Sequence, residues 1–299
     1  MQVVVKVPAT SGNLGPGFDC LGLAFELWNK TSFSLTGDGL SIIIQGEGHD
    51  ELSTGKSNLI AQAAMHLYQM IEKEFPKNLS IQCDNHIPIS SGLGSSATAV
   101  LAGLLGANAL AGNPLSKEDI LQLAIDMEGF PDNVSPALYG GLTLSASNNE
   151  TSIIRQLNVH PFNIVIILPD VNLATQDARD ALPKSVTLSD AVFNLSHTAL
   201  TAEALRSGDL QLLQQAMQDR LHQPYRLPLI PGAAKAIQAA QDVGAAAALS
   251  GAGPSVIAFL NGNVDELAVT MQAAFEDKDV SSRVFKLGIA ASGAEATQM

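Results

Sequence analysis

Residues 88–98 read Pro88-Ile-Ser-Ser-Gly-Leu-Gly-Ser-Ser-Ala-Thr98 and run without a break into an alanine- and leucine-rich stretch. A glycine turn opening onto a helix has a definite chemistry. The first amides of a helix lack intrahelical acceptors and carry the positive end of its dipole. Gly92 and Gly94 let the backbone close around a ligand with no Cβ in the way. Ser90, Ser91, Ser95 and Ser96 add hydroxyls, and Ile89, Leu93 and Ala97 fill the positions between. A cradle of this kind suits phosphate. It is not the Walker loop, which needs a lysine after its last glycine; no lysine or arginine lies between Lys77 and Lys117. Nor does a third glycine follow Gly94 at dinucleotide-binding spacing. Taken alone, the segment is equally well explained as a Ser/Gly turn capping a core helix.

Two further stretches tip that balance. A strand-like Val3–Val7 leads into Val7-Pro-Ala-Thr-Ser-Gly-Asn-Leu-Gly-Pro-Gly-Phe-Asp-Cys-Leu-Gly22. Ala245-Ala-Ala-Ala-Leu-Ser-Gly-Ala-Gly-Pro-Ser-Val-Ile-Ala-Phe-Leu260 sets a glycine turn, Gly251 to Pro254, between two apolar runs. Together the three stretches resemble the three signature motifs of the GHMP kinases in order and spacing, and within that superfamily they are most similar to the homoserine kinases. The resemblance spans nearly the whole chain. It implies an α+β protein with the two-domain GHMP kinase fold. A mixed α/β N-terminal domain carrying the phosphate loop is expected over 1–152, and a ferredoxin-like C-terminal domain over 153–299.

Composition narrows the field further. The chain has 299 residues, 46% of them hydrophobic, which allows two domains with a sizeable core. A net charge of −13 leaves no electrostatic footprint for nucleic acid or anionic membranes. Cys20 and Cys83, the only cysteines, form neither a disulfide framework nor metal-ligand spacing. With no apolar run of membrane-spanning length and no leader pattern, a soluble cytoplasmic protein is expected.

Local patterns agree with this organisation. Strands are expected at Ala24–Leu27, Thr31–Leu35, Ser41–Gln45 and Leu79–Cys83, and helices at 58–75, 95–110 and 116–128, the last with Ser116 and Asp119 as a capping-box variant. A polar turn, Ser147 to Glu150, separates two further strands. Beyond Asn163 the elements alternate as in a split βαβ unit.

The resemblance implies transfer of the γ-phosphoryl of ATP to the side-chain hydroxyl of L-homoserine. Transfer of this kind depends on positioning and charge neutralisation more than on covalent chemistry. Magnesium would take Glu128 and one of the Ser95/Ser96 hydroxyls, Ser96 foremost; one carboxylate and one hydroxyl suffice for an ion that keeps several waters. A glutamate ending a helix is locally unfavourable, which favours a functional reason for it. Homoserine is a zwitterion. Arg179 and Arg226 match arginines that hold its carboxylate, a task suited to guanidinium forks. Asn13 and Asp19 match residues facing its hydroxyl and ammonium, Asp132 and Asn133 match a second polar pair, and Thr175 matches a threonine near the γ-phosphate. Asn58 matches an adenine contact. Singly, each Asn or Asp reads as a turn or cap residue. A homodimer is also implied, as is transfer with no dedicated general base.

One position departs from the family pattern Gly-His-x-Asp-Asn: this chain has Gly129-Phe-Pro-Asp-Asn133. Phe130 can neither donate a hydrogen bond nor carry a proton. Two alternatives stand beside the leading reading. The first is another kinase of the fold, acting on an isoprenoid or a sugar; a hydrophobic-tailed alcohol would not need two guanidinium groups. The second is an inactive member that only binds ligands.

Overall fold

The computed structural model describes residues 2–147 and 152–299. The first sheet has the order β11-β1-β2-β4-β3, with β5 on β2 and β6 on β5. Its strands are β1 (Gln2–Asn13), β2 (Gly17–Leu35), β3 (Gly39–Gly46), β4 (Asn78–Asn85), β5 (Leu142–Ser147), β6 (Ser152–Leu157) and β11 (Glu295–Gln298). Four helices cover one face: α1 (Leu59–Met70), α2 (Ser95–Leu110), α3 (Lys117–Glu128) and α4 (Pro131–Tyr139). Strand alternation explains why. Val3, Val5 and Val7 point to the helices and pack with Phe33, Leu79 and Ile81, while Ala9, Leu21, Leu23 and Phe25 turn to the opposite core.

The second sheet is antiparallel with the order β10-β7-β9-β8, from β7 (Asn163–Pro169), β8 (Ala246–Leu249), β9 (Val256–Leu260) and β10 (Ser282–Leu287). Its strands, taken as one to four along the chain, lie 4-1-3-2, the ferredoxin-like arrangement expected. Both faces are buried, so β7 is apolar from Ile164 onward. Val165 and Ile167 face α9 (Ala233–Asp242) and α10 (Val264–Glu276); Ile164 and Ile166 face Phe25, Leu142 and the helices α6 (Leu188–Ser207) and α7 (Leu210–Ala216). Each such side chain contributes about 1.5–3 kcal/mol on burial. That second cluster joins the two sheets into one body.

Several boundaries differ from expectation. The two strands expected between Ala24 and Leu35 are one long strand, β2, which keeps pairing with β1 through a register shift at Pro8/Ala9. The helix expected to Phe75 stops at Met70, ahead of Glu72 in a left-handed conformation. Residues 131–136 form not a turn but the start of α4, because Pro131 at its first position pre-sets helical φ and loses no needed amide. The short helices α5 (Thr175–Asp180) and α8 (Gln223–Arg226) and strand β11 carried no clear pattern. Strand membership departs from the 152/153 division in two places: β6 pairs with β5, and β11 returns to β1. Most of the polar turn over 147–150 lies outside the described residues.

Candidate active site

Three segments far apart in sequence converge on the turn before α2. Gly94, at φ +71°, is the N-cap of α2 and supplies no side chain, so the first amides of the helix are left for a ligand. Behind the turn, Thr10 N donates to Leu93 O (3.0 Å) and Ser250 Oγ to Gly92 O (2.7 Å). Gly251 N donates to Gly12 O (3.2 Å), and Asn13 Nδ2 to Gly251 O (2.8 Å). The three motifs are thus laced together by main-chain carbonyls. Glycine is required where they touch: a Cβ on Gly92, at φ +76°, would lie 2.3 Å from Ser250 O. Gly92→Ala is therefore expected to cost at least about 2 kcal/mol, from left-handed strain and a backbone clash. Denaturant unfolding and the KM for ATP check it; both should worsen together.

Not every loop hydroxyl faces outward. Ser91 is buried and donates to Pro88 O (2.7 Å), and Thr98 donates to Ser95 O (2.8 Å), so both are spent within the turn. Leu93 and Ala97 belong to the core. Ile89, Ser90, Ser95 and Ser96, with Thr98, line a pocket of about 220 Å³ that Asn58, Leu59 and Leu52 also line. Asn58 lines this pocket, with Oδ1 capping α1 by accepting from Ile60 N (2.9 Å) and Nδ2 donating to Ser53 O (2.7 Å). It shapes the pocket as a cap.

Glu128 ends α3 against the negative pole of that helix, and Ser96 Oγ donates to its carboxylate. Burial pushes the Glu128 carboxyl above its ordinary value, against the Ser96 bond. A hard oxygen pair beside the helix N-terminus is the donor set magnesium accepts when phosphates and water complete its shell.

On the other side of Glu128 lies a second cavity, of about 90 Å³, lined also by Asn13, Asp19, Phe130, Asp132, Asn133, Thr175, Arg179 and Arg226. The Arg179 fork meets the Asp19 carboxylate twice, at 3.0 and 3.3 Å. Phe130 lies beneath that fork, its ring 3.7 Å from the guanidinium carbon. The position that has lost a polar group has gained a cation–π platform. Arg226 is buried; its Nε donates to Ala178 O (3.1 Å). Phe18, which the sequence did not single out, lies within cation–π reach of both arginines, at 5.5 and 5.3 Å. Asn13 bridges segments, with Asp19 N donating to its Oδ1 (3.0 Å), and Asn133 accepts from Thr10 Oγ1 (3.0 Å).

Asp132 is buried, and that burial, with the Asp19 charge adding to it and Arg179 opposing, pushes its carboxyl up to about 7. An Asp raised from 3.8 binds protons in the folded state that the unfolded state has shed, so stability falls as pH climbs from about 4 to 7. Asp132→Asn is expected to remove this loss, on the order of 4 kcal/mol. Unfolding curves at pH 4 and pH 8 check it: the variant should gain on the wild type chiefly at the higher pH.

The model of the GHMP kinases N terminal domain matches residues 58–141, and that of the GHMP kinases C terminal matches residues 201–277. The homoserine kinase of Moorella thermoacetica is 42% identical over 293 residues, covering 97% of this chain and 98% of that protein. That of Microchaete diplosiphon is 44% identical over 300 residues, covering 98% and 96%. The crystal structure of homoserine kinase from Cytophaga hutchinsonii has a TM-score of 0.87 at 30% identity, covering 99% of this chain and 97% of that one. A cradle of free helix amides between two such sheets, with these matches, makes the chain a GHMP kinase. Its full-length relatives place it in the homoserine kinase family.

Proposed function

We propose that the chain transfers the γ-phosphoryl of ATP to the side-chain hydroxyl of L-homoserine, giving O-phospho-L-homoserine for threonine biosynthesis. One observation carries the reading. Ser96 lines the larger pocket, Glu128 lines the smaller cavity, and the two side chains are hydrogen-bonded, so a phosphate cradle and a doubly charged acceptor site share a wall.

In this reading ATP lies in the larger pocket with its phosphates on the amides of Gly94 to Ala97. Glu128 and Ser96 would hold Mg²⁺, which when bound neutralises charge on the transferring group. The Arg179–Asp19 pair is exchanged one for one with a zwitterion: carboxylate to Arg179 and Arg226, ammonium to Asp19 and Asp132. Thr175 and Asn133 flank the reacting hydroxyl. An ammonium beside Asp132 returns that carboxyl to its charged form and occupies it, which leaves the transfer without a dedicated base. A mevalonate- or sugar-type acceptor would leave at least one of these charges unpaired in a small cavity, a costly state.

The experiment is ATP turnover with L-homoserine, mevalonate and galactose in parallel. Homoserine alone should be phosphorylated; turnover with either other acceptor, or with none, overturns the reading. The homodimer that the family resemblance implies would have apolar surface available on α6, where Leu188, Val192 and Leu195 are exposed on one side. Light scattering tests it. Cytoplasmic residence is proposed from two unpaired cysteines, with no helix among the described residues long and apolar enough to cross a membrane.

A further inference from the structure

His222 caps the short helix α8 from within the core, fully buried, and its two ring nitrogens face partners of fixed polarity. Nε2 lies 2.7 Å from Gly15 O and 3.6 Å from Asp219 Oδ2. Asp219 accepts from three backbone amides (residues 221, 222 and 223) and from the Asn194 amide, so its oxygens face the ring as acceptors. Nδ1 lies 3.2 Å from Arg226 Nη1, which can only donate. One ring state satisfies both sides: neutral, with its proton on Nε2 and a bare lone pair on Nδ1.

We propose that His222 is a positioning residue for the substrate arginine: its neutral Nδ1 accepts from Arg226 Nη1 and so aims the guanidinium that lines the small cavity. The inference rests on the reading of Arg226 as a contact of the homoserine carboxylate. Two corners set the plane of the fork: Nε donates to Ala178 O on α5, and Nη1 donates to His222 and, at the longer 3.5 Å, to Gly251 O. A guanidinium held at two corners loses little freedom when its remaining edge meets a carboxylate. Phe18 stacks on the imidazole at 5.3 Å and 25°, closing the ring off from the cavity side. The charged groups facing the ring are Asp219, Arg226 and, further off, Asp19. Burial holds the imidazole below its ordinary pKa, with Asp219 opposing and Arg226 assisting. A second proton would set donor against donor at Nδ1 in a dry site.

Two variants and one spectrum test this. His222→Leu offers no acceptor; His222→Asn places an amide oxygen near the Nδ1 position. With L-homoserine as acceptor, His222→Leu is expected to raise its KM roughly ten- to a hundredfold while the KM for ATP stays within about twofold, since a buried guanidinium donor loses its partner. His222→Asn should recover most of that loss. Equal rises in both KM values, or no recovery by asparagine, overturn the proposal. Nitrogen-15 spectra of the wild-type imidazoles need no variant to fold. Protonated Nε2 with bare Nδ1 across about pH 6 to 8 is expected for His222, and a protonated Nδ1 overturns the proposal. Should the wild type fail to phosphorylate homoserine, the proposed activity falls instead, and the spectrum still decides the tautomer.

Discussion

Glu128→Ala is expected to lower kcat with ATP and homoserine by at least about a thousandfold, some 4 kcal/mol, while leaving the fold as stable as before. The two halves of that expectation have separate causes. Catalysis falls because the carboxylate beside Ser96 is, among the described residues, the acidic side chain that both bonds the nucleotide-side hydroxyl and lines the acceptor cavity. Stability holds because Glu128 is misplaced as a structural residue. It sits at the C-terminal end of α3, where the helix dipole disfavours negative charge by about 0.3–1 kcal/mol. Its burial raises its pKa, because desolvation penalises the charged form. Removing it relieves both terms and sacrifices one hydrogen bond of about 1 kcal/mol. Turnover assays beside thermal unfolding separate the effects. Activity near that of the wild type would remove Glu128 from any metal, and a large drop in the unfolding midpoint would make it a structural residue after all.

Local chemistry made much of this architecture legible. Ser116 and Asp119 form a reciprocal capping box on α3, and the burial of β7 on both faces follows from the unbroken Ile164–Leu168 apolar run. The three glycine motifs could be placed on turns because each needs conformations or close approaches that side chains forbid. What could not be read was whatever depends on contacts distant in sequence. The Ser250 hydroxyl grips Gly92 across 158 residues, and Asn13 reaches Gly251 across 238. Neither pairing has a local signature. The roles of Asn58 as a helix cap and a loop tie were likewise hidden until the fold placed Ser53 beside it. Phe130 read as the loss of a polar group, and only the fold brings Arg179 over its face. His222 stood in plain view four residues before Arg226, the spacing that brings side chains together on one helical turn, but its partner Gly15 lies in the first motif, 207 residues away.

Arg179→Leu is the other substitution expected to act strongly. The fork makes a bidentate contact with Asp19 at 3.0 and 3.3 Å and rests on Phe130, so it is held in plane before any acceptor arrives. Truncating one member of such a half-buried pair costs about 2–5 kcal/mol, much of it from the partner left unpaired. With homoserine as substrate, kcat/KM should therefore fall by roughly two to three orders of magnitude, and the KM for ATP should stay unchanged. Arg179→Lys should recover part of the loss, because an ammonium restores the charge but not the fork or the stacking. A second effect reaches Asp132. Arg179 is the cation that holds its pKa down against burial and Asp19. Without it Asp132 moves further above 7, folded protein retains its proton to higher pH, and the stability lost on raising pH extends past neutrality. Unfolding free energies of the variant from pH 5 to 9 should fall more steeply than those of the wild type, and Asp132→Asn in the same background should flatten them. An Arg179→Leu enzyme that kept both its homoserine KM and the wild-type pH slope would show that the fork serves Asp19 alone, and the acceptor would then need another cation than the one facing it across this cavity.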